Sequence, residues 1–358
     1  MQHLIDRLVR PEIRALNAYH VPDATGQIKL DAMENPYTWP LALRREWLNL
    51  LAAVDVNRYP DPHGVELQDT LRKTMGVPEG MGLLLGNGSD EIIQMLALTV
   101  ASPGRKVLSV DPGFVMYRMI AGFAGMGYVG VPLRAADFSL DPAAVLEAME
   151  REQPVLTFLA YPNNPTGNLF DRQVLEAIIG AAPGLVILDE AYAPFTNKSF
   201  MEQLGDWPNL LVMRTVSKMG LAGLRLGLLA GPRVWLDEID KTRLPYNVNV
   251  LTQVSAAFAL RHKAVFDEQT NRIREERARL FAALSAMDVR SYRSDANFIL
   301  LRLGQGRAGA VFQLLKTRGI LVKNLDGAHP LLGDCLRVTV GRPEENDAFL
   351  QALKSALS

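Results

Sequence analysis

A lysine in an apolar, glycine-rich segment is the residue of this sequence best suited to covalent chemistry. Lys218 lies in residues 215–227, which read Thr-Val-Ser-Lys-Met-Gly-Leu-Ala-Gly-Leu-Arg-Leu-Gly. Such surroundings solvate an ammonium group poorly, which lowers its pKa and frees the amine to form a Schiff base with an aldehyde. Ser217 and Arg225 flank the lysine and could hold a phosphate, the arginine through its planar fork. Most lysines lie on the surface, but this setting fits a surface position badly.

A carboxylate directly after an apolar run could serve as the partner of a cation. Asp189 follows the run at 185–188, and a carboxylate that leaves a buried strand is costly unless it has a cationic partner. A protonated pyridine nitrogen would be such a partner, whereas a helix cap or a salt bridge is the alternative. Tyr192 lies in the same segment and could donate a hydrogen bond to the same ligand.

Two further segments lie where polar ligand atoms are commonly bound. Residues 86–91 read Gly-Asn-Gly-Ser-Asp-Glu and precede an apolar helix, where free amides and the helix dipole favour phosphate. A plain loop capped by Ser89 explains that segment equally well. Residues 161–167 read Tyr-Pro-Asn-Asn-Pro-Thr-Gly and follow an apolar run. Ligands bind at strand ends in open α/β sheets, although Asn-Pro and Thr-Gly also favour ordinary turns.

The four segments, in this order and each next to a predicted strand end, describe one ligand. It would have a phosphate, a phenolic oxygen, a ring nitrogen and an aldehyde. The phosphate would be bound by Ser89, Ser217 and Arg225, and the phenolic oxygen by Asn164 and Tyr192. The ring nitrogen would be bound by Asp189 and the aldehyde by Lys218. Pyridoxal 5′-phosphate carries all four groups, and its protein partners include a Schiff-base lysine and a carboxylate at the pyridinium nitrogen. The sequence therefore predicts this cofactor.

The elements that must position these segments alternate between strands and helices from about residue 80 to residue 230. Strands are predicted at 106–110, 128–133, 155–160, 185–188, 210–214 and 226–229, and helices at 89–100, 141–151 and 171–181. Continuous apolar runs suit strands covered on both faces. The alternation therefore favours an α/β fold with a mostly parallel sheet and helices on both sides.

After residue 245 the pattern changes. Residues 247–287 have helical periodicity with many charges, and a strand, a helix, two strands and a helix follow at 298–303, 308–318, 320–323, 336–340 and 343–357. We expect this part to form a smaller α+β domain. The predicted division is an N-terminal arm (1–40) that joins the small domain, a large cofactor-binding α/β domain (41–245) and a small C-terminal domain (246–358).

Composition and charge argue against several other classes of protein. Of the 358 residues, 38 are Lys or Arg and 39 are Asp or Glu, a formal net charge of −1 that does not favour a nucleic-acid surface. One cysteine and five scattered histidines provide neither a disulfide nor a metal framework, so no metal is expected. The longest uncharged run, 119–133, is too short and too broken for a membrane span. The first residues do not resemble a signal peptide, so we expect a cytoplasmic protein without nucleic-acid or membrane partners.

In these motifs the sequence resembles the fold-type I enzymes that use pyridoxal phosphate, the aspartate-aminotransferase superfamily, over nearly the whole chain. The segment around Lys218 with Arg225, and the Asn-Asn-Pro-Thr-Gly sequence at 163–167, are specific to that superfamily. Residues 57–62, 86–91 and 335–341 narrow the resemblance to the histidinol-phosphate aminotransferases. The resemblance implies a large, mostly parallel sheet domain and a small α+β domain.

The resemblance also implies roles for the residues that would bind the cofactor. Lys218 would bond the aldehyde and then move a proton between the substrate α-carbon and the cofactor, while Asp189 would keep the pyridine nitrogen protonated. Asn164 and Tyr192 would hydrogen-bond the phenolic oxygen, and Tyr117 would stack on the ring. The phosphate would be held by Gly88, Ser89, Asp90, Ser217 and Arg225.

Further roles concern the substrate and a second subunit. By resemblance, Arg337 would bind the substrate phosphate through a strong, bidentate contact, helped by Tyr19 of the N-terminal arm, and Asn35 is a further candidate for substrate binding. Tyr59 would reach the cofactor of a neighbouring subunit. The resemblance thus implies a homodimer with shared active sites.

The sequence departs from the family pattern at two places. Lys323 stands where many relatives have arginine, which could weaken or reposition a phosphate contact. Residues 112–114 read Pro-Gly-Phe in place of the usual Pro-Thr-Tyr. The second departure leaves Tyr117 as the only nearby tyrosine for stacking.

The activity that this resemblance implies is transamination between L-histidinol phosphate and 2-oxoglutarate, giving imidazole-acetol phosphate and L-glutamate. Three related alternatives keep the cofactor: an aromatic or broad-specificity aminotransferase, a phosphothreonine decarboxylase and a non-catalytic binding protein. The intact set of Lys218, Asp189 and Arg225 argues against the last of these.

A remote alternative is an NAD-dependent oxidoreductase. Gly304, Gly306 and Gly309 match the dinucleotide fingerprint, and Asp326 follows at about the required distance. Too little chain follows Gly309 for the doubly wound sheet that normally surrounds such a site. A polar loop between a strand and a helix explains these glycines better.

Overall fold

The computed structural model describes residues 1–18, 21–287 and 289–357. Its strands are β1 (Ile28–Leu30), β2 (Gly82–Gly86), β3 (Lys106–Asp111), β4 (Gly127–Pro132), β5 (Leu156–Ala160), β6 (Leu185–Asp189), β7 (Leu210–Thr215), β8 (Gly227–Gly231), β9 (Arg290–Ser291), β10 (Phe298–Arg302), β11 (Ile320–Asn324) and β12 (Cys335–Thr339). They form two sheets, one of seven strands and one of five.

The helices surround these sheets. They are α1 (Gln2–Leu8), α2 (Pro11–Arg14), α3 (Leu41–Leu51), α4 (Val65–Met75), α5 (Ser89–Val100), α6 (Val115–Phe123), α7 (Pro142–Glu152), α8 (Arg172–Ala181), α9 (Arg233–Asp240), α10 (Val250–Arg261), α11 (Lys263–Ser285), α12 (Ala308–Thr317) and α13 (Pro343–Leu357). Of these helices, none in the described ranges has both the length and the apolar character needed to cross a membrane.

The larger sheet has the strand order β2-β8-β7-β6-β5-β3-β4. All its neighbours are parallel except β8, which runs antiparallel to both β2 and β7. Strands β2, β5, β6 and β8 are buried along their whole length, because helices cover both faces of the sheet. The predicted mostly parallel α/β fold is confirmed.

The predicted strands of this sheet are present, with ends that differ by one or two residues. Strand β2 escaped prediction, since its three leucines stand between two glycines and form a very short apolar run. The helix predicted at 89–100 has the same bounds in the structure. Asp141 and Asp171 accept backbone N–H groups at the starts of α7 and α8, the N-cap role that aspartate favours.

The smaller sheet has the strand order β1-β11-β12-β10-β9. Strand β1 comes from the N-terminal arm and pairs in parallel with β11, whereas the other neighbours are antiparallel. Its core contains Leu30 of β1 together with side chains of α11, α12 and α13. The small sheet is therefore completed by a strand that lies far away in the sequence.

The helical stretch predicted at 247–287 consists of two helices, α10 and α11, that meet at His262. Ala256 and Leu260 of α10, and Phe266 near the start of α11, lie in a core shared with the larger sheet. Ile273 and Leu284, further along α11, lie in the core of the smaller sheet. The division of the chain at residues 40 and 245 stays a prediction.

Candidate active site

A cavity of about 350 Å³ lies at the carboxyl ends of the central strands of the larger sheet. Parallel strands bring the residues that follow them to the same edge of a sheet, and the start of α5 reaches that edge as well. Three residues of the N-terminal arm, Ala32, Met33 and Glu34, close one side. The cavity brings together eight predicted residues: Ser89, Asp90, Asn164, Asp189, Tyr192, Ser217, Lys218 and Arg225.

Lys218 lies in the connection between β7 and β8, in a short π-helical turn spanning Ser217–Leu221. Gly220 has a φ of 127° there, a conformation that side chains rarely adopt. The Lys218 Nζ atom lies 5.9 Å from the centroid of the Tyr192 ring. Burial, and then the positive charge of Arg337, lower the pKa of Lys218 to about 8. A neutral, nucleophilic amine is therefore accessible near physiological pH.

Asp189 ends strand β6 and is 3% exposed. The Tyr117 hydroxyl donates a hydrogen bond to its Oδ2 atom at 2.6 Å, and the Ala191 N–H donates to Oδ1 at 3.0 Å. Burial raises the pKa of Asp189 to about 6, against the lowering effect of these two hydrogen bonds. Among the described side chains no cation pairs with this carboxylate, so it suits a positively charged ligand atom.

Asn164 connects two other predicted residues. Its Nδ2 donates to the Tyr192 hydroxyl at 3.1 Å, and its Oδ1 accepts from Arg337 Nη1 at 2.6 Å. Arg337 is 7% exposed, donates through Nη2 to the Asp31 carbonyl at 3.0 Å and lies 5.3 Å from the Phe298 ring centroid. The arginine therefore stands behind Asn164, and one amide links it to the tyrosine that faces the cavity.

The start of α5 and Arg225 form an anion site on another side of the cavity. Gly88 has a φ of 84°, a backbone conformation that favours glycine, and its Cα lies close to the end of the Arg225 side chain, since a Cβ added there would lie 2.6 Å from Arg225 Nη2. Arg225 Nη2 lies 3.4 Å from Asp90 Oδ2, and both side chains are about half exposed. Ser217 faces the same space. The helix N-terminus and the guanidinium both favour a phosphate at this position.

The structure gives Tyr117 a different position from the one predicted. Its ring is 1% exposed and stacks on Phe158 of β5, with centroids 4.8 Å apart. The side chain lies beneath the cavity wall, and its hydroxyl bonds Asp189. Phe114, the residue that departs from the family's Pro-Thr-Tyr, is the aromatic side chain that lines the cavity. Phe114 is therefore the aromatic side chain placed where it could stack on a ring in the cavity, because helix α6 turns Tyr117 into the core.

Asn35, predicted to bind substrate, has its amide engaged elsewhere. Its Nδ2 donates to the Met219 carbonyl at 2.9 Å and to Gln269 Oε1 at 3.0 Å, and its Oδ1 accepts the Tyr37 N–H. It therefore holds the backbone next to the reactive lysine and does not line the cavity. Tyr19, the other residue predicted from the arm, lies outside the described residues.

Tyr59 is also absent from the cavity of its own chain. It is 80% exposed, and its ring stacks on Tyr246 with centroids 4.4 Å apart. A large aromatic side chain with this exposure is available to a second molecule. Its predicted role at a neighbouring subunit's site stays a prediction.

Sequence reasoning missed two residues that shape the site. Thr215 at the end of β7 donates to Ser217 Oγ at 2.8 Å and accepts the Ser217 N–H, which fixes the serine. A threonine two residues before a serine at a strand end was the available signal. Glu34 lines the cavity and pairs with Lys29 at 2.7 Å. No pattern around Glu34 marked it, since the strand β1 that places it is only three residues long.

The glycine loop at 304–309 has a structural role. Asp334 accepts the Gly306 N–H at 3.0 Å and the Ala308 N–H at 2.6 Å, so a side chain of this protein occupies the place of an anion at the start of α12. Asp326 in turn accepts the Asp334 N–H at 2.8 Å. The surrounding sheet is mainly antiparallel, unlike a dinucleotide-binding sheet.

Comparisons with known proteins agree with this geometry. Residues 25–353 match the model of the family described as aminotransferase class I and II. A histidinol-phosphate aminotransferase of Cupriavidus pinatubonensis is 55% identical over 99% of this chain and 98% of its own length. A solved structure of histidinol-phosphate aminotransferase from Sinorhizobium meliloti, in complex with pyridoxal-5′-phosphate, covers 98% of this chain and 97% of its own, with a TM-score of 0.87 and 24% identity.

A third similar structure shows that this fold alone does not determine the reaction. The structure of L-threonine-O-3-phosphate decarboxylase from Porphyromonas gingivalis covers 92% of this chain and 99% of its own at 22% identity, with a TM-score of 0.78. The same fold thus carries a different reaction. The family match over most of the chain, and the relative that is 55% identical, show that this chain belongs to the aminotransferase class I and II family.

Proposed function

We propose that this protein is a cytoplasmic enzyme that transfers the amino group of L-histidinol phosphate to 2-oxoglutarate, with pyridoxal 5′-phosphate as cofactor and imidazole-acetol phosphate and L-glutamate as products. The observation that carries the proposal is the cavity itself. It holds an amine of lowered pKa, Lys218, and a buried carboxylate without a cation, Asp189, beside the anion site at Arg225. Relatives that are 55% and 53% identical to this chain in sequence are named histidinol-phosphate aminotransferases, which supports this substrate.

The residues present fit the cofactor. Asp189 lacks a cationic partner among the described residues and would receive one from a protonated pyridine nitrogen. Gly88, which has no side chain and a φ of 84°, leaves the start of α5 open beside the Arg225 guanidinium, where a phosphate would bind. Asn164 and Tyr192 present an amide and a hydroxyl to the position of the phenolic oxygen. When bound, pyridoxal 5′-phosphate supplies a conjugated ring that accepts the electrons left as the substrate's α-proton departs.

Lys218 moves that proton. Its amine, poorly solvated and with a pKa near 8, would take the proton from the substrate α-carbon and deliver it to the cofactor carbon that carried the aldehyde, which is general acid–base work that suits a pKa close to the working pH. Asp189 would keep the pyridine nitrogen protonated during these steps. Thr215 holds the Ser217 hydroxyl in place, and that serine would bind the phosphate, so these residues would hold the two ends of the cofactor.

Arg337 is the group suited to the anionic end of the substrate. Two of its nitrogens already donate to Asn164 and to the Asp31 carbonyl, which fixes the plane of the guanidinium. Lys323 lies opposite Arg337 in the pairing of β11 with β12 and adds a second positive charge there. Both the substrate phosphate and a carboxylate of 2-oxoglutarate would bind at this end, since the two half-reactions use one site in turn.

We further propose that the active form is a homodimer with shared sites. Besides the stacked pair of Tyr59 and Tyr246, three apolar side chains within five residues of one or the other in the sequence are exposed, namely Val56, Leu244 and Leu251. Exposed apolar side chains, where they cluster, favour a protein partner. In a dimer formed through these side chains, Tyr59 of one copy would reach the cavity of the other copy. Sedimentation of the wild-type protein would test the interface, and the cofactor affinity of a Tyr59→Ala variant that still sediments as a dimer would test the shared residue.

A single-turnover experiment tests the reaction. The protein loaded with pyridoxal 5′-phosphate is mixed with histidinol phosphate, phenylalanine, aspartate or threonine phosphate, and its visible absorbance is followed. We expect histidinol phosphate to convert the cofactor to its amino form fastest. Faster conversion by phenylalanine would indicate an aromatic aminotransferase, and carbon dioxide release from threonine phosphate would indicate a decarboxylase.

The Lys218→Ala variant is expected to lose turnover and the borohydride-fixed cofactor together, because the amine both bonds the aldehyde and moves the proton. Lys316→Ala, which changes an exposed lysine on α12, is the matched control and should behave as the wild type. Normal turnover by Lys218→Ala, or a protein that binds NAD and not pyridoxal 5′-phosphate, would refute the proposed function.

A further inference from the structure

Tyr117 is buried, and its side chain is held in a position from which its hydroxyl bonds Asp189. Its ring lies between two aromatic neighbours, stacked on Phe158 and edge-on to Phe114, whose centroid is 5.4 Å away at 84°. Its hydroxyl donates to Asp189 Oδ2 at 2.6 Å. The two rings fix the direction of the phenol, so the hydrogen bond is held by packing from outside the cavity.

We propose that Tyr117 is a positioning residue, which never touches the bound cofactor and which keeps the Asp189 carboxylate ionised and aimed at the pyridine nitrogen. This inference rests on the proposed use of pyridoxal 5′-phosphate. It extends that proposal to a residue outside the cavity. Phe114 lines the cavity and packs edge-on against Tyr117, so it would lie between Tyr117 and a bound ring.

Few hydrogen-bond donors surround Asp189 among the described residues. A buried carboxylate needs hydrogen bonds to stay ionised. The described residues give it two, one to each oxygen: the Ala191 N–H and the Tyr117 hydroxyl. The backbone donor is present whatever the side chains are. The phenol is therefore the one donor to this carboxylate, among the described side chains, that a substitution can remove.

The charges that face Asp189 do not replace this donor. Asp90 on α5 and the neighbouring Glu190 are both negative and raise the pKa of Asp189. Tyr192 lies on the same side of the cavity, and burial raises its pKa as well. Lys218, on the segment after β7, lines the same cavity but makes no hydrogen bond or ion pair with Asp189 among the described residues.

Tyr117 itself stays a donor throughout the useful pH range. Burial, together with the negative charge of Asp189, raises the pKa of Tyr117 well above its usual value. The phenol is therefore neutral wherever the enzyme could work. Its hydrogen bond lowers the pKa of Asp189, and loss of the hydroxyl would let that pKa rise.

The test is the pH dependence of cofactor binding by the apoprotein, measured by fluorescence titration with pyridoxal 5′-phosphate for wild type and Tyr117→Phe. The variant keeps both aromatic contacts and removes only the hydroxyl. We expect its binding midpoint to move to higher pH. Near pH 6.5 we expect its affinity to fall roughly ten- to a hundredfold, the range for a hydrogen bond to an ionised group. Lys218 is the same in both proteins, so its titration cancels.

Two controls separate this role from general packing. Tyr128→Phe removes another tyrosine hydroxyl that bonds an aspartate, Asp111, on the same sheet at 3.3 Å, and it should leave the midpoint unchanged. In an Asp189→Asn background, Tyr117→Phe should cause no further change in affinity. The Asp189→Asn variant therefore shows whether the Tyr117 hydroxyl affects cofactor affinity through the Asp189 carboxylate.

Each outcome has a distinct meaning. A wild-type protein that does not bind pyridoxal 5′-phosphate overturns the proposed function. A wild type that binds it, with Tyr117→Phe of unchanged midpoint and affinity, overturns this inference alone. A Tyr117→Phe protein with a lower melting temperature and an unchanged midpoint also overturns it, because the residue would then serve only packing.

Discussion

The two sides of the chain at the end of β6 carry neighbouring carboxylates with opposite surroundings. Glu190 is 0% exposed and accepts from Arg214 at 2.7 and 2.9 Å, from Ser199 at 2.8 Å and from the Phe200 N–H at 2.6 Å. Asp189, on the cavity side, has one phenol and one backbone amide. Glu190 has a cation and several hydrogen-bond donors as partners, whereas Asp189 has no cation among the described residues.

This difference separates a structural carboxylate from one that can bind a ligand. A buried ion pair that satisfies every lone pair fixes local structure and offers nothing to a ligand. A buried carboxylate without a cation costs stability and gains it back when a cation arrives. Burial alone does not distinguish them, because both are nearly inaccessible. Their partners do.

The largest expected effect comes from removing the open carboxylate. Asp189→Asn keeps the shape and can still accept the Tyr117 hydrogen bond, but it cannot hold a proton on the ring nitrogen. We expect kcat to fall by about 10²–10³, the usual loss for one preorganised electrostatic group. Steady-state kinetics with histidinol phosphate measures it. An apoprotein melting temperature equal to or above that of the wild type is the expected control result.

Glu190→Gln should show the reverse pattern. It leaves Arg214, 13% exposed, without its counter-charge, and a broken buried pair costs about 3–5 kcal/mol of unfolding free energy. Urea unfolding of the apoprotein measures this loss, while cofactor affinity at a temperature where the variant is folded should stay near the wild-type value. Lost affinity with unchanged stability would contradict the separation between the two acids.

The smallest expected effect is a pH dependence of stability. The pKa of Asp189 is raised to about 6, so the folded apoprotein binds a proton more tightly than the unfolded chain, and this group's contribution to stability falls as pH rises from about 4 to 6. Asp189→Asn removes the effect. The stability gained by the variant over wild type should grow across that window, to on the order of 3 kcal/mol, and stay level above it. A difference independent of pH would contradict the raised pKa.

Much of the site could be predicted because its chemistry is local in sequence. Lys218 among glycines and Asp189 after an apolar strand are visible without a structure, and parallel strands then bring them to one edge. The apolar runs also predicted the larger sheet almost strand for strand. These signals depend on residue type and on short spacings, which a sequence displays directly.

The remaining features depend on which way a side chain points or where a helix ends, and short spacings in the sequence do not determine these. Tyr117 lies in the first turn of α6, and only its packing against Phe158 shows that it faces the core. Asn35 is polar and near the arm's end, yet its amide is used by Met219 and Gln269. The break at His262 between α10 and α11 has neither proline nor glycine to mark it.

Helix α11 has a mechanical consequence for the site. Phe266 anchors its start in one core and Ile273 its continuation in the other, so a rigid rod about 35 Å long joins the two sheets. The turn between those anchors carries Gln269, which shares Asn35 with the carbonyl of Met219, the residue after Lys218. Tilting of the small sheet would therefore act on this turn of α11, which contacts the segment that carries Lys218 through the Asn35 amide and through Phe266 packed beside Gly220.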